Sequence, residues 1–235
     1  AMRCARPARR AFSPLDEALG LVGGACSPWV VESIVRLGTW MPFERVPEAL
    51  AFFTGVVIDA ETARRLTERA GAAVVALETA RVEWLEREQP EAPAGPAVQQ
   101  VSADGAMVPL VGGEWAEVKT VAIGRVERRQ TRAGEAVIHT RDLSYFSRLA
   151  DAETFGRLAW GELWRRGTPR AGVVAGVMDG SEWLQGFLDY HRPDAVRILD
   201  FPHGVEHLSV AAQASLGIGT AATLAWVADQ AHDLK

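Results

Sequence analysis

Gly172-Val173-Val174-Ala175-Gly176-Val177-Met178 runs into Asp179-Gly180, and this stretch decides the fold. Small and β-branched residues that stop on a carboxylate and turn on glycine predict a buried strand delivering an acid to the C-terminal edge of a sheet. Trp183, Leu184, Phe187 and Leu188 then share one face of a predicted helix over residues 181–191, closed by Arg192-Pro193-Asp194. A second strand, Ala195-Val196-Arg197-Ile198-Leu199, also ends on an acid, in Asp200-Phe201-Pro202-His203. Open α/β sheets keep their chemistry at that edge. The competing reading of each Asp is an N-cap, since a carboxylate between a strand and a helix commonly caps the helix.

Composition bounds the classes. The 235 residues are 48% hydrophobic and 23% charged, as in globular domains. No apolar run approaches membrane-spanning length and no signal peptide is evident, so a cytoplasmic protein without a membrane partner is expected. Two cysteines, Cys4 and Cys26, can build neither a disulfide framework nor a zinc site at the usual spacing. A net charge of −5 argues against nonspecific coating of nucleic acid but leaves room for a local basic face.

Residues 1–10 read as a basic arm, and residues 1–88 as an all-helical domain. In it, a helix containing Val46, Leu50 and Phe53 ends at Thr54-Gly55, and Asp59 or Thr62 caps the next helix, over residues 60–88. Two helices joined by a tight glycine-containing turn are the signature of a helix-turn-helix. Arg64, Arg65 and Arg69 fall in the first turns of the second helix and are the candidate DNA contacts; a solvated basic face is the alternative. Gln89-Pro90-Glu91-Ala92-Pro93-Ala94-Gly95-Pro96 cannot continue a helix, so residues 89–97 are expected to be a semi-rigid linker.

Beyond it the periodicity becomes alternating. A strand over residues 98–110 carries Asp104-Gly105 in its middle, and a carboxylate there must be paired, placed in a bulge or bound to a metal. Val118, Val121, Ile123 and Val126 mark a second strand, residues from Ala136 begin a third, and residues 145–166 are expected to form a long helix. Strand, strand, strand, helix, strand, helix, strand, helix is the order of a ribonuclease H-like mixed sheet, in which the first strand lies beside the fourth. Asp104 and Asp179 would then share one edge over residues 98–212, an arrangement that suits Mg2+ or Mn2+ and phosphoryl transfer. Lys119 and Arg128, with Arg125, Arg129 and Arg132, are candidate phosphate contacts on the second strand and its turn.

Several short motifs carry a resemblance. Pro14-Leu15-Asp16-Glu17-Ala18-Leu19-Gly20-Leu21, Trp40-Met41-Pro42-Phe43, Ser102-Ala103-Asp104-Gly105-Ala106-Met107-Val108-Pro109, Trp115-Ala116-Glu117-Val118-Lys119, Asp179-Gly180-Ser181-Glu182-Trp183 and Arg197-Ile198-Leu199-Asp200-Phe201-Pro202-His203 occur in this order. The chain resembles bacterial insertion-sequence transposases of the Kra type, DDE enzymes distantly similar to Mutator transposases. The resemblance implies that Asp104 and Asp179 are the first two catalytic acids and metal ligands of a two-metal site. It implies that Asp200 and His203 form a supporting acid-x-x-His element. It also implies that double-stranded DNA, at transposon ends and target, is the partner, with the enzyme a homo-oligomer on DNA. The family's third acid, a Glu beyond a helical insertion, has no counterpart, and residues 213–235 are expected to begin that insertion, truncated. A non-catalytic, transposase-derived DNA-binding protein or repressor is the alternative, and an unrelated domain with a coincidental Asp pair is a third reading.

Overall fold

The structure, a computed structural model, describes residues 26–132 and 134–234. Cys4, the basic arm and the motif from Pro14 to Leu21 lie outside the described residues. Those described form a mixed α/β chain with seven α-helices and one five-stranded mixed sheet. The chain divides into two compact units between Leu77 and Glu78.

The first unit holds α1 (Pro28–Gly38), α2 (Val46–Thr54) and the start of α3 (Ala60–Glu88). The Ser27 hydroxyl accepts the Val30 amide at the start of α1, and Pro28 occupies a position where no backbone donor is needed. At the end of α2, Gly55 takes φ 72°, a left-handed conformation that costs glycine nothing. Asp59 then starts α3 by accepting the Thr62 amide at 2.6 Å. Helical spacing brings Ile34, Val46, Leu50, Ala63 and Leu66 into one small core.

The second unit is built on β1 (Val98–Pro109), β2 (Trp115–Gln130), β3 (Ala136–Leu149), β4 (Val173–Met178) and β5 (Val196–Leu199). Their order is β3-β2-β1-β4-β5, with β2 antiparallel to both β1 and β3 and β4 and β5 continuing parallel to β1. Helices α4 (Ala152–Arg165) and α5 (Glu182–His191) supply the connections around β4; α6 (Phe201–Leu216) and α7 (Ala221–Asp233) follow β5. Val101, Ala103, Val121, Ile123, Val174 and Met178, in one phase of their strands, meet Phe155, Ala159 and Leu163 of α4 and Leu184, Phe187 and Leu188 of α5. Each of the Val, Ile, Leu, Phe and Met side chains among them, fully buried, contributes about 1.5–3 kcal/mol. In the opposite phase Tyr145, Val173, Val196 and Ile198 are exposed.

Two expectations are corrected. Residues 145–149 are not helical: they are the end of β3, where Phe146 is buried opposite Val121 and Ser147 stands opposite Thr120. Phe146 and Leu149 have a helix-like spacing, but the helix begins only after Asp151, whose carboxylate accepts the Thr154 amide at 2.8 Å. The Pro-rich stretch, expected to be a semi-rigid linker, packs against the second unit. Trp164 Nε1 donates to the Pro90 carbonyl, Arg170 bonds Glu91 and Ala92, and the Gly172 amide donates to the Pro96 carbonyl. Gly95 lies so close to Gly167 and Ala171 that a β-carbon would overlap their backbone. The stretch is a strap belonging to the second unit, whose packed part also includes Val82 and Leu85 of α3. At the other end, α6 runs unbroken past residue 212, where a boundary was expected.

Candidate functional site

β1 and β4 pair in parallel from Val98 opposite Val173 to Val101 opposite Gly176. The pairing ends there; Asp104 and Asp179 each lie three residues beyond that last pair, Asp104 still within β1 and Asp179 just past the end of β4. Side chains alternate faces along strands, so Gln100, Ser102 and Asp104 share the face of Ala175, Val177 and Asp179, opposite the core helices. The Ser102 hydroxyl donates to the Val177 carbonyl at 2.7 Å just before both acids. Asp104 is exposed and accepts the following Gly105 amide at 2.7 Å; Asp179 is partly buried and accepts the Ser181 amide at 2.8 Å across a turn in which Gly180 takes φ 90°. The N-cap of α5 is Ser181, so Asp179 does not occupy the capping position that was its competing reading.

Asp200 stands at the N-cap of α6, yet its side chain makes no capping bond and instead meets His203 Nδ1 at 3.1 Å. Its amide donates to the Met178 carbonyl at 2.8 Å, tying this second acidic turn to the end of β4. The Asp200 hydrogen bond, with the charges of Asp179, Asp200 and Glu206, raises His203 above the usual imidazole range. His203 thus pairs directly with Asp200 and feels the charges of Asp179 and Glu206.

The predicted basic contacts fare unequally. Lys119 is only 6% exposed, pairs with Glu117, and donates to the Ala150 carbonyl at 3.3 Å. That corrects its assignment as a phosphate contact: Lys119 is in phase with Val121 and Ile123, on the covered face of the sheet, where a phosphate cannot reach it. Arg64 is held by Glu61 and Glu68 on its own helix, while Arg65, Arg69 and Arg128 are exposed. Arg125 and Arg129 pair with Glu127, and Arg125 also with Asp142. Sequence reasoning overlooked Ser102 as a clamp; the signal available was its position two residues before Asp104 on the same strand face.

Asp104 and Asp179 offer hard oxygen donors. Among the described residues no three His, Cys, Asp or Glu side chains lie close enough to hold a metal ion by themselves. A carboxylate pair is nonetheless the donor set with which proteins hold Mg2+, the remaining positions going to water and substrate phosphate. Among the described residues no helix is long and apolar enough to cross a membrane. Compared with known proteins, the sequence matches no family model and no curated protein.

Proposed function

We propose that the second unit is a ribonuclease H-like domain and that the chain acts on DNA as a DDE-type transposase, with Asp104 and Asp179 as two of its acids. The observation that carries this reading is the parallel pairing of β1 with β4 in a β3-β2-β1-β4-β5 sheet, with Asp104 and Asp179 each three residues past the last pair of that ladder. Acids far apart in sequence gain nothing structurally from being brought side by side, since like charges repel. A divalent cation removes that cost.

Asp104 and Asp179 would hold Mg2+ or Mn2+, which when bound supplies the positive charge that in-line phosphodiester displacement requires. The chain's own contributions are positional. Ser102 clamps the two strands, the Gly105 and Ser181 amides orient one oxygen of each carboxylate, and the Asp200–His203 pair braces the adjoining turn. In the first unit, α2, the Gly55 turn and α3 supply a helix-turn-helix in which Arg65 and Arg69 present exposed guanidinium groups to duplex DNA.

Calorimetric titration of Mn2+ into the wild type, Asp104→Ala and Asp179→Ala, with and without duplex DNA, tests the reading. Binding by the wild type and its loss in both variants is the expected result. Duplex binding without any metal uptake would make the chain a DNA-binding relative without catalysis, and the catalytic assignments would fall.

A further inference from the structure

The motif residues Glu117, Lys119 and Trp183 play no part in the chemistry above, yet the fold gathers them. Lys119 lies on β2 opposite Gly105, the residue after Asp104. Because Gly105 lacks a β-carbon, the Glu117 carboxylate can lie across its backbone; a methyl group there would overlap the carboxylate oxygen. Glu117 in turn holds the Lys119 ammonium. That ammonium sits 5.4 Å from the centroid of the Trp183 ring, within the range of a cation–π attraction. Trp183 is the second residue of α5, just after the Asp179-Gly180-Ser181 turn and Glu182, and its ring meets Phe155 edge-on at 6.0 Å. One ion pair on the covered face therefore touches both acid-bearing segments, Asp104-Gly105 on one side and the helix that follows Asp179 on the other.

We propose that Lys119 is a positioning residue, which with Glu117 and through Trp183 sets the relation of Asp179 to Asp104 from the face of the sheet opposite the two carboxylates. The inference rests on the reading of Asp104 and Asp179 as a metal-binding pair. An ammonium drawn out of water is costly, and an apolar side chain would fill the same space more cheaply. What the charge adds is direction: it grips a carboxylate lying over Gly105 and an indole face at once, which a methyl group cannot do.

The test is Mn2+ affinity in the full chain for Lys119→Met, Trp183→Leu and the double variant, with Lys119→Arg and Trp183→Phe as variants that keep the charge and the ring. Hydrogen–deuterium exchange of the segment spanning residues 179–184 is measured on the same samples. Loss of a group that orients a metal ligand lowers affinity by about 10-fold, the low end for such residues. Because Lys119 and Trp183 act along one path, the double variant is expected to lose about 10-fold too, not the roughly 100-fold of independent effects. Exchange in residues 179–184 rises in Lys119→Met and Trp183→Leu and stays near wild type in the conservative variants. Val121→Ala, which removes core volume on the same strand, lowers stability but leaves Mn2+ affinity within about twofold. Multiplicative losses in the double variant, or unchanged exchange in residues 179–184 for Lys119→Met, overturn the proposal. A wild type that takes up no Mn2+ overturns the metal reading instead, and the exchange measurement then decides by itself whether Lys119 holds the turn.

Discussion

The hydroxyl of Ser102 donates to the carbonyl oxygen of Val177 over 2.7 Å, two residues before Asp104 on one strand and two before Asp179 on the other. The bond fixes the parallel register at the point where the ladder ends and the acids begin. Ser102→Ala removes it and leaves the carbonyl without that donor, at a cost of about 1 kcal/mol. Urea unfolding should show this as a lower midpoint at unchanged slope, and Mn2+ titration should show a weakened site.

His191 responds to acid. Its Nε2 meets the Gly156 carbonyl at 2.9 Å, its ring stacks on Trp160, and its Nδ1 is buried without a hydrogen-bond partner among the described residues. Burial lowers its pKa to about 4, against 6.5 for the free side chain. A depressed histidine contributes stability that is fully present above pH 6.5 and is lost as pH falls toward 4, because the unfolded chain takes up the proton first. The loss is on the order of 3 kcal/mol. His191→Phe should flatten the stability profile between pH 6.5 and 4, as read by urea midpoints across that window.

His203 has the opposite sign. Its pairing with Asp200 contributes stability that is fully present below the ordinary imidazole pKa of 6.5 and is lost as pH rises through the elevated folded value. The pair is more than a third exposed, so its effect on stability is small. Asp200→Asn should bring the His203 titration, followed by NMR, back down toward the ordinary range; an unmoved titration would show that Asp179 and Glu206 alone raise it.

Gly95 and Gly105 separate two kinds of crowding. Gly95→Ala forces a methyl against the backbone of Gly167 and Ala171, which cannot swing aside, and should cost about 1–3 kcal/mol. Gly105→Ala meets the end of the Glu117 side chain, which can rotate away, so thermal unfolding should move less than in Gly95→Ala. The Gly105 variant is instead expected to displace Glu117 from Lys119.

What the sequence by itself determined is local. Alternation marks β1 and β2, helical spacing and the Thr54-Gly55 stop mark α2, and the abrupt apolar runs ending in Asp179 and Asp200 mark β4 and β5, because these signals arise from neighbours a few residues apart. Residues 145–149 were misread because Phe146 and Leu149 fit a helical spacing, and only pairing with Thr120 and Val121 makes them a strand. The Pro-rich strap was misread because nothing within it encodes the surface that Gly167 and Ala171 present. Lys119 reads as a phosphate contact because charge is visible in a sequence and burial is not. The residue-by-residue pairing of β1 with β4 and the meeting of Glu117, Lys119 and Trp183 are visible only in the tertiary structure. Both depend on strand register and helix packing, which are fixed by contacts between residues remote in sequence.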